Sequence, residues 1–249
     1  MPLLATLLCV VALPAAADEL RIAVAANFLG TLQQLAPQYT QATGDQLVLS
    51  AGSTGQLYTQ IKQGAPFDVF LSADAARPKL LQSQGLILAA SRFTYARGTL
   101  ALWSPHAGVV DADGEVLRTG HYRFLSVADP HNAPYGAAAR QVLTAMGLWT
   151  RLNQSRQIVL GEDITQTWQF VDSGNADMGF VALSQIIGAG KARGSYWLPP
   201  QSMYAPIEQD AVALAHSSKP ARAQAFMRWL RTAPAALAII RAAGYRTDP

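Results

Sequence analysis

Three apolar runs of strand length, separated by two helical patterns, constrain the fold of this chain more than any other feature. The runs are LRIAVAA at 20–26, QLVLS at 46–50 and DVFLS at 68–72. Between them, apolar residues recur at helical spacing, first as Leu32, Leu35 and Tyr39 and then as Leu57 and Ile61. Strands that alternate with helices predict a parallel sheet of the α/β class.

The alternation continues along the rest of the chain. Further strands are predicted at 100–103, 122–127, 157–160 and 178–181, and helices at 134–146, at 165–171 and twice after residue 220. Asn27, after the first strand, stands where a helix N-cap is expected. No repeat or low-complexity linker interrupts the sequence, so two domains would be joined by short strands near 93–97 and 206–210.

The first 17 residues form an uncharged apolar stretch that ends in Ala-Ala-Ala. They predict a cleavable secretory signal, because the stretch is shorter than the ~20 residues that span a bilayer. The mature chain is then expected to begin at Asp18. Cys9, the single cysteine, falls within this signal. The exported protein would therefore lack the thiols required for disulfides, thiol catalysis or cysteine-bound metals.

The charge pattern gives no indication of a nucleic-acid partner. The chain carries 19 Lys and Arg against 16 Asp and Glu, a net charge of +3, and the basic residues are scattered. Nucleic-acid binders instead collect basic residues on one face or tail. We expect no nucleic acid to bind.

Four predicted strand-to-helix junctions carry the candidate ligand-binding residues, because ligands of open parallel sheets bind beyond the carboxyl ends of the strands. The candidates are Asn27, Thr54, Tyr135 and Ile164, with Ala26 and Ser53 as secondary candidates. Taken singly, such residues are more often helix caps. Several helix starts around one cleft would make an anion cage of neutral donors. Gly55 is followed by Gln56 rather than lysine, which excludes a nucleotide phosphate loop.

Four segments of the chain carry a family resemblance. They are VAANFLGTLQQLAPQYTQATG, SAGSTGQLYTQIKQGAPFDVFLSAD, DPHNAPYGAAARQVLTAMGLW and ADMGFVALSQI. In order and spacing they resemble the periplasmic molybdate-binding proteins of ABC importers, the ModA family. GAPFDVFLSAD and DPxxAPYG are the most specific blocks, and the resemblance runs from residue 20 to about residue 245.

The resemblance implies an α/β, two-lobed periplasmic binding protein of type II. Two parallel or mixed sheets flanked by helices would enclose a ligand cleft between the lobes. Residues 1–17 would be the signal peptide, 18–96 plus 208–249 the first lobe and 97–207 the second. The ligand would be molybdate or tungstate, with no cofactor, no directly coordinated metal and no catalysis. The partner would be an inner-membrane ABC permease, and we expect a periplasmic monomer.

Motif positions in the family also imply roles for the candidates. Asn27 takes the place of a side-chain donor, with Ala26 beside it, and Thr54, beside Ser53, that of a hydroxyl and amide donor. Tyr135 and Ile164 fall where the family uses main-chain amides. Many relatives have serine in place of the asparagine, although the Asn-Phe-Leu-Gly variant is a recognised branch. Many also have a tyrosine donor where this chain reads Phe180-Val181-Ala182.

Within the binding-protein class, sulfate and phosphate are the alternative ligands, since both are tetrahedral oxyanions. A protonated phosphate needs an acceptor, and Asp163 is the one acid at the four junctions, which disfavours phosphate. An effector domain of a transcription regulator has the same fold but would lack the export signal and would carry a DNA-binding helix pair.

An exported α/β enzyme is the less favoured alternative from another class. The sequence contains no His-x-x-x-His pair and no Gly-x-Ser-x-Gly elbow. Its histidines lie far apart, at His106, His121, His131 and His216. Asp68 opens a predicted strand and Asp74 follows its end. Their positions favour capping and turn roles over the role of paired carboxylates in a glycosidase.

Overall fold

The computed structural model describes residues 19–188 and 191–247. The predicted signal peptide, residues 1–17, lies outside these ranges. None of the helices in the described ranges combines the length and apolar character needed to cross a bilayer.

The first lobe is built on a five-stranded mixed sheet. Its strands, in spatial order, are β2 (Gln46–Gly52), β1 (Glu19–Ala25), β3 (Val69–Leu71), β12 (Ile207–Ala213) and β4 (Phe93–Gly98). The first three run parallel, whereas β12 is antiparallel to both β3 and β4. The helices of this lobe are α1 (Leu29–Thr43), α2 (Thr54–Lys62), α3 (Ala76–Ser83), α9 (Pro220–Thr232) and α10 (Pro234–Ala242).

Both faces of this sheet are covered by helices. Along β1, Ile22 and Val24 pack into one apolar cluster, while Ala23, between them, packs into another with Leu57 and Phe70. A strand buried on both faces reads as a continuous apolar run instead of an alternating one. This explains why the LRIAVAA segment is recognisable from the sequence.

The second lobe contains another five-stranded mixed sheet. Its strands, in spatial order, are β11 (Ser195–Trp197), β5 (Leu100–Ser104), β8 (Met178–Ala182), β6 (Leu125–Ala128) and β7 (Ile158–Gly161). The last three are parallel. The helices are α4 (Val116–Thr119), α5 (Pro134–Ala145), α6 (Trp149–Gln154), α7 (Ile164–Asp172) and α8 (Leu183–Ile186), and β9 (Ile187–Gly188) pairs with β10 (Lys191–Ala192). Two 3-10 turns, Ala26–Phe28 and Gln201–Met203, complete the elements.

The chain passes between the sheets at two neighbouring places. β4 ends at Gly98 and β5 begins at Leu100, and the chain returns where β12 begins at Ile207. Gly98 and Ile207 are paired, so the two crossings lie side by side. The predicted two-lobed α/β fold with mixed sheets is confirmed. The predicted boundaries at 96/97 and 207/208 fall within or beside these strands and stay predictions.

The prediction of an N-cap at Asn27 is wrong. Asn27 lies inside the 3-10 turn Ala26–Phe28, and α1 begins only at Leu29. Its side-chain Nδ2 donates to Gln209 Oε1 at 3.0 Å and to the Tyr245 hydroxyl at 3.1 Å. These two interior partners hold the side chain away from the helix that it was expected to cap.

The strand predicted at 122–127 begins later than expected. Asp177 Oδ2 accepts the backbone N–H groups of Arg123 at 2.9 Å and Phe124 at 2.8 Å. Because a carboxylate takes these two donors, regular pairing with β7 starts at Leu125.

The two aspartates considered for catalysis serve the backbone. Asp68 Oδ2 accepts the Arg21 N–H at 2.8 Å, and Asp74 Oδ1 accepts the Arg77 N–H at 2.9 Å in the first turn of α3. The predicted turn role is confirmed for Asp74, whereas Asp68 accepts from the neighbouring strand β1 instead.

Candidate functional site

A small cavity lies between the two lobes, where strands end and helices begin. It is small, with at most about 210 Å³ of empty space, and suits an ion better than a drug-sized ligand. The residues that line it are Ala25, Ala26, Asn27, Gly52, Ser53, Thr54, Ala73, Ala133, Pro134, Tyr135, Asp163 and Ile164. All six candidates named from the sequence are therefore brought together. We call this space the inter-lobe cavity.

The start of α2 brings two buried hydroxyl groups to the cavity. Ser53 is the N-cap in a reciprocal capping box with Gln56, so its Oγ accepts the Gln56 N–H. Thr54 Oγ1 accepts the backbone N–H of Ala73 at 3.1 Å. A hydroxyl that accepts through its oxygen still has a hydrogen to donate. Both residues are almost fully buried, at 3% and 1% exposure, so a ligand in the cavity is a suitable acceptor for these hydrogens.

The start of α5 presents a backbone donor at Tyr135. Pro134 occupies the first helical position and has no N–H, so the first amide hydrogen of this helix belongs to Tyr135. The initial N–H groups of a helix have no partner within the helix. Gly136, the next residue, has no room for a side chain, since an added Cβ would lie 2.1 Å from the Ala128 carbonyl oxygen. The helix start is therefore packed directly onto the end of β6.

The start of α7 presents a backbone donor at Ile164. The N-cap Asp163 accepts the N–H groups of Thr165 at 2.8 Å and Gln166 at 2.9 Å through its Oδ1. The cap thus satisfies the second and third N–H groups of the helix. It leaves the first, the N–H of Ile164, available to a ligand. The Ile164 carbonyl accepts from Gln185 Nε2 at 3.1 Å, which fixes this turn from the other side.

Behind Asn27, a buried polar network connects the cavity wall to the crossing strands. Gln209, on β12, is its centre: Oε1 accepts from Asn27 Nδ2 and from the Tyr95 hydroxyl, each at 3.0 Å, and Nε2 donates to the Tyr135 hydroxyl at 3.2 Å. The Tyr245 hydroxyl donates to the Asn27 carbonyl at 2.7 Å. Both side-chain amide hydrogens of Asn27 are therefore used inside the protein, so its backbone N–H is the donor that remains to be considered for a ligand.

The tyrosines of this network are held in the neutral form. Burial raises the pKa of Tyr135 and Tyr95 well above the ordinary value of 10.0. It also raises the pKa of Tyr245 to about 12, against the opposing effect of hydrogen bonds from Ser184, Asn27 and Thr31. Near neutral pH these phenols add no negative charge beside the cavity.

The electrostatic character of the cavity comes from helix ends. α2, α5 and α7, together with the turn that leads into α1, direct their positive N-terminal ends at one space, and such ends favour anions. The lining contains no Lys or Arg. Arg77, beside Gly55, is taken up by an ion pair of 2.5 Å with Asp74 and by the His131 carbonyl at 2.7 Å.

Sequence reasoning missed Gln209 and Tyr245, which fix the orientation of Asn27, and Ala73, which positions the Thr54 hydroxyl. Their contacts link residues far apart in the chain, up to 218 positions for Asn27 and Tyr245, so no local pattern reports them. The segment Phe180-Val181-Ala182, where many relatives were expected to have a tyrosine donor, is fully buried, and none of its three residues lines the cavity.

Known proteins match the chain over nearly its whole length. The family described as bacterial extracellular solute-binding protein matches residues 20–246. The molybdate-binding protein ModA of Rhodobacter capsulatus is 47% identical over 237 residues, which cover 95% of this chain and 92% of the relative.

Two solved structures show the same arrangement. The periplasmic molybdate-binding protein of Azotobacter vinelandii has a TM-score of 0.90 and 46% identity, covering 92% of this chain and all of that one. The sulfate-binding protein SubI of Mycobacterium tuberculosis has a TM-score of 0.78 with 16% identity, covering 93% and 88%, which shows a common fold alone. With near-complete matches in sequence and structure, the chain belongs to the bacterial extracellular solute-binding proteins and, within them, to the ModA family.

Proposed function

We propose that this protein captures molybdate or tungstate in the inter-lobe cavity and delivers it to an ABC permease. The observation that carries the proposal is the convergence of four strand-to-helix junctions, two from each lobe, on one small space without a basic side chain. Hydrogen bonds to a charged partner contribute about 1.5–3 kcal/mol each. A handful of them is enough for the roughly 8 kcal/mol of a micromolar complex.

The donors we assign are neutral. They are the Ser53 and Thr54 hydroxyls and the backbone N–H groups of Ala26, Asn27, Tyr135 and Ile164. Because they come from both lobes, the anion is fully bound only when the lobes are closed around it. Its differential affinity for that state shifts the population towards closure.

Two observations support molybdate or tungstate over other oxyanions. The relatives of 47% identity are named for molybdate. The single acidic residue of the lining, Asp163, has its Oδ1 engaged in capping α7, which leaves a protonated phosphate poorly matched. Molybdate and tungstate share charge, shape and nearly the same size, so a cage of this kind accepts both.

The remaining parts of the proposal concern the setting of the protein. Its ligand leaves chemically unchanged, so the protein is not an enzyme and needs no cofactor. The segment 1–17 directs export and is removed, and the mature protein works as a monomer in the periplasm. Its partner is the permease of an importer in the inner membrane, which receives the anion from the closed form.

Thermal unfolding of the mature protein with four anions tests the proposal. Molybdate, tungstate, sulfate and phosphate are added at equal concentrations, each as the sodium salt, with sodium chloride as the ionic-strength control. A ligand at about 1,000 times its Kd adds about 4 kcal/mol, which corresponds to roughly 8–16 °C for a domain of this size.

We expect a shift of this size with molybdate and tungstate and little with sulfate or phosphate. Equal shifts with sulfate would refute the preference for molybdate and tungstate while keeping the anion site. No shift with any of the four would remove the assigned ligand class.

A further inference from the structure

The first turn of α2 touches the opposite lobe directly. The backbone N–H of Gly55 donates to the Asn132 carbonyl at 2.9 Å. Asn132 belongs to the turn that precedes α5, and its own position is fixed by Asp129, which accepts from Asn132 Nδ2 at 2.7 Å. This is a main-chain contact across the cleft, between two turns that each hold their shape.

Gly55 leaves no spare room at this contact. A Cβ added there would lie 2.6 Å from Asn132 Oδ1, 3.0 Å from Asn132 Cα and 3.2 Å from Arg77 Nη2. The two shortest of these distances are to the second lobe, and one is to backbone. The third, from its own lobe, is the end of a flexible arginine side chain.

The contact stands immediately beside the inter-lobe cavity. Thr54, one residue before Gly55, lines the cavity from the first lobe, and Ala133, one residue after Asn132, lines it from the second. Any separation of Gly55 from Asn132 therefore widens the space between the anion donors of the two lobes. Hydrogen bonds weaken steeply once their distances exceed the normal range.

We propose that Gly55 is a positioning residue for closure: its bare Cα lets the lobes approach until the Gly55 and Asn132 backbones meet, and this meeting sets the width of the anion cage. The inference rests on the proposed function. Gly55 itself is not assigned as a donor to the anion, because its N–H already donates to the Asn132 carbonyl on the other side of the cleft. It acts on binding through the geometry of the donors on either side.

Gly55→Ala tests this, because its effects on stability and on binding are expected to differ in sign. Alanine favours a helix over glycine, so the ligand-free variant is expected to unfold at the same temperature as the wild type or higher. Its molybdate affinity, measured by calorimetry, is expected to fall about 10- to 100-fold, as overpacking and a lost hydrogen bond together predict.

The chain supplies a matched control in Gly30→Ala. Gly30 is also the second residue of its helix, α1, but an added Cβ there meets nothing within 4 Å. This variant is expected to bind molybdate like the wild type. Small-angle X-ray scattering adds a direct measure of closure: saturating molybdate should reduce the radius of gyration of the wild type and of Gly30→Ala, and reduce that of Gly55→Ala less.

A second substitution separates the clash from other effects. Asn132→Ala removes the Oδ1 atom at 2.6 Å but keeps the Cα at 3.0 Å, so adding it to Gly55→Ala is expected to recover part of the lost affinity. If Gly55→Ala lowers the molybdate affinity by the same factor in the Asn132→Ala background as in the wild type, the proposal is overturned.

The other outcomes are equally decisive. Wild-type affinity in Gly55→Ala would overturn the proposal and leave the assigned function in place. A ligand-free Gly55→Ala that unfolds below the wild type would contradict the claim that the added methyl group conflicts chiefly with the other lobe. Failure of the wild type and Gly30→Ala to bind molybdate or tungstate would overturn the assigned function, and this inference with it.

Discussion

Replacing Ile164 with proline removes one backbone donor from the inter-lobe cavity and keeps the start of α7 helical. Ile164 is the first residue of α7, and proline is well tolerated at that position because its fixed φ suits a helix start. The preceding residue, Asp163, is extended with φ −142° and ψ −177°, which is close to the conformation that a residue before proline adopts. The substitution leaves the neighbouring hydrogen bonds unchanged. Asp163 still accepts from Thr165 and Gln166, and Gln185 still donates to the carbonyl of residue 164.

The expected cost follows from the loss of a single N–H group. A hydrogen bond to a charged partner is worth about 1.5–3 kcal/mol, so the Kd for molybdate should rise roughly 10- to 150-fold at about 1.4 kcal/mol per factor of ten. The isoleucine side chain is buried, at 3% exposure, and its loss lowers the stability of the fold for a separate reason. Ile164→Ala is the control, since it removes more of the side chain and keeps the N–H.

Calorimetric titration of both variants with molybdate gives the answer. We expect Ile164→Ala to bind close to the wild type and Ile164→Pro to bind much more weakly, with both folded by circular dichroism. Equal affinities of the two variants would show that the amide of Ile164 does not contact the anion, and the assignment of α7 as a donor helix would be wrong.

Three further predictions concern the side chains around the cavity. Thr54→Ala should weaken molybdate binding by about 1–3 kcal/mol and lower the melting temperature, because the Ala73 N–H loses its acceptor, whereas Thr54→Ser should retain both properties; equal behaviour of the two variants would contradict this. Asn27→Ala should lower the free energy of unfolding, measured in urea, by about 1–3 kcal/mol, since Gln209 and Tyr245 lose a donor. Its molybdate affinity should fall less than that of Thr54→Ala. A large loss of affinity at unchanged stability would show instead that the side-chain amide of Asn27 contacts the anion. The pKa of Tyr245, raised by burial from 10.0 to about 12, predicts a contribution to stability that is complete below pH 10 and is lost as the pH rises to about 12; a melting temperature that stays constant from pH 9 to 12 would refute it.

Local patterns were sufficient to predict where α2, α5 and α7 begin, although not where α1 begins. Ser53 with Gln56, Pro134 at a first helical position and Asp163 before an apolar helix are signals that depend on neighbouring residues alone. Since a βαβ arrangement places such starts at one edge of a sheet, the candidate cavity residues could be named before their distances were known.

Long-range contacts explain what the sequence could not predict. Asn27 was expected to cap a helix, but Gln209, 182 residues away, accepts its side-chain hydrogen. The approach of Gly55 to Asn132 depends on how two separate sheets are placed, and nothing in GSTG or DPHNAPYG records that distance. The antiparallel position of β12 between β3 and β4 is likewise decided by the return of the chain from the second lobe.

Because Tyr135 and Ile164 are assigned to bind the anion through their peptide N–H groups, the cavity changes during evolution differently from one built on side chains. A missense mutation replaces a side chain and leaves the amide hydrogen where it was, with proline as the sole exception among the encoded residues. Anion binding therefore places no demand on the side chains at these two positions, where packing and the hydrogen bond between Gln209 and the Tyr135 hydroxyl are the constraints. The hydroxyls of Ser53 and Thr54, by contrast, are directly exposed to selection. Searches for conserved polar side chains will find only two of the six assigned donors, and helix starts are the better feature to compare.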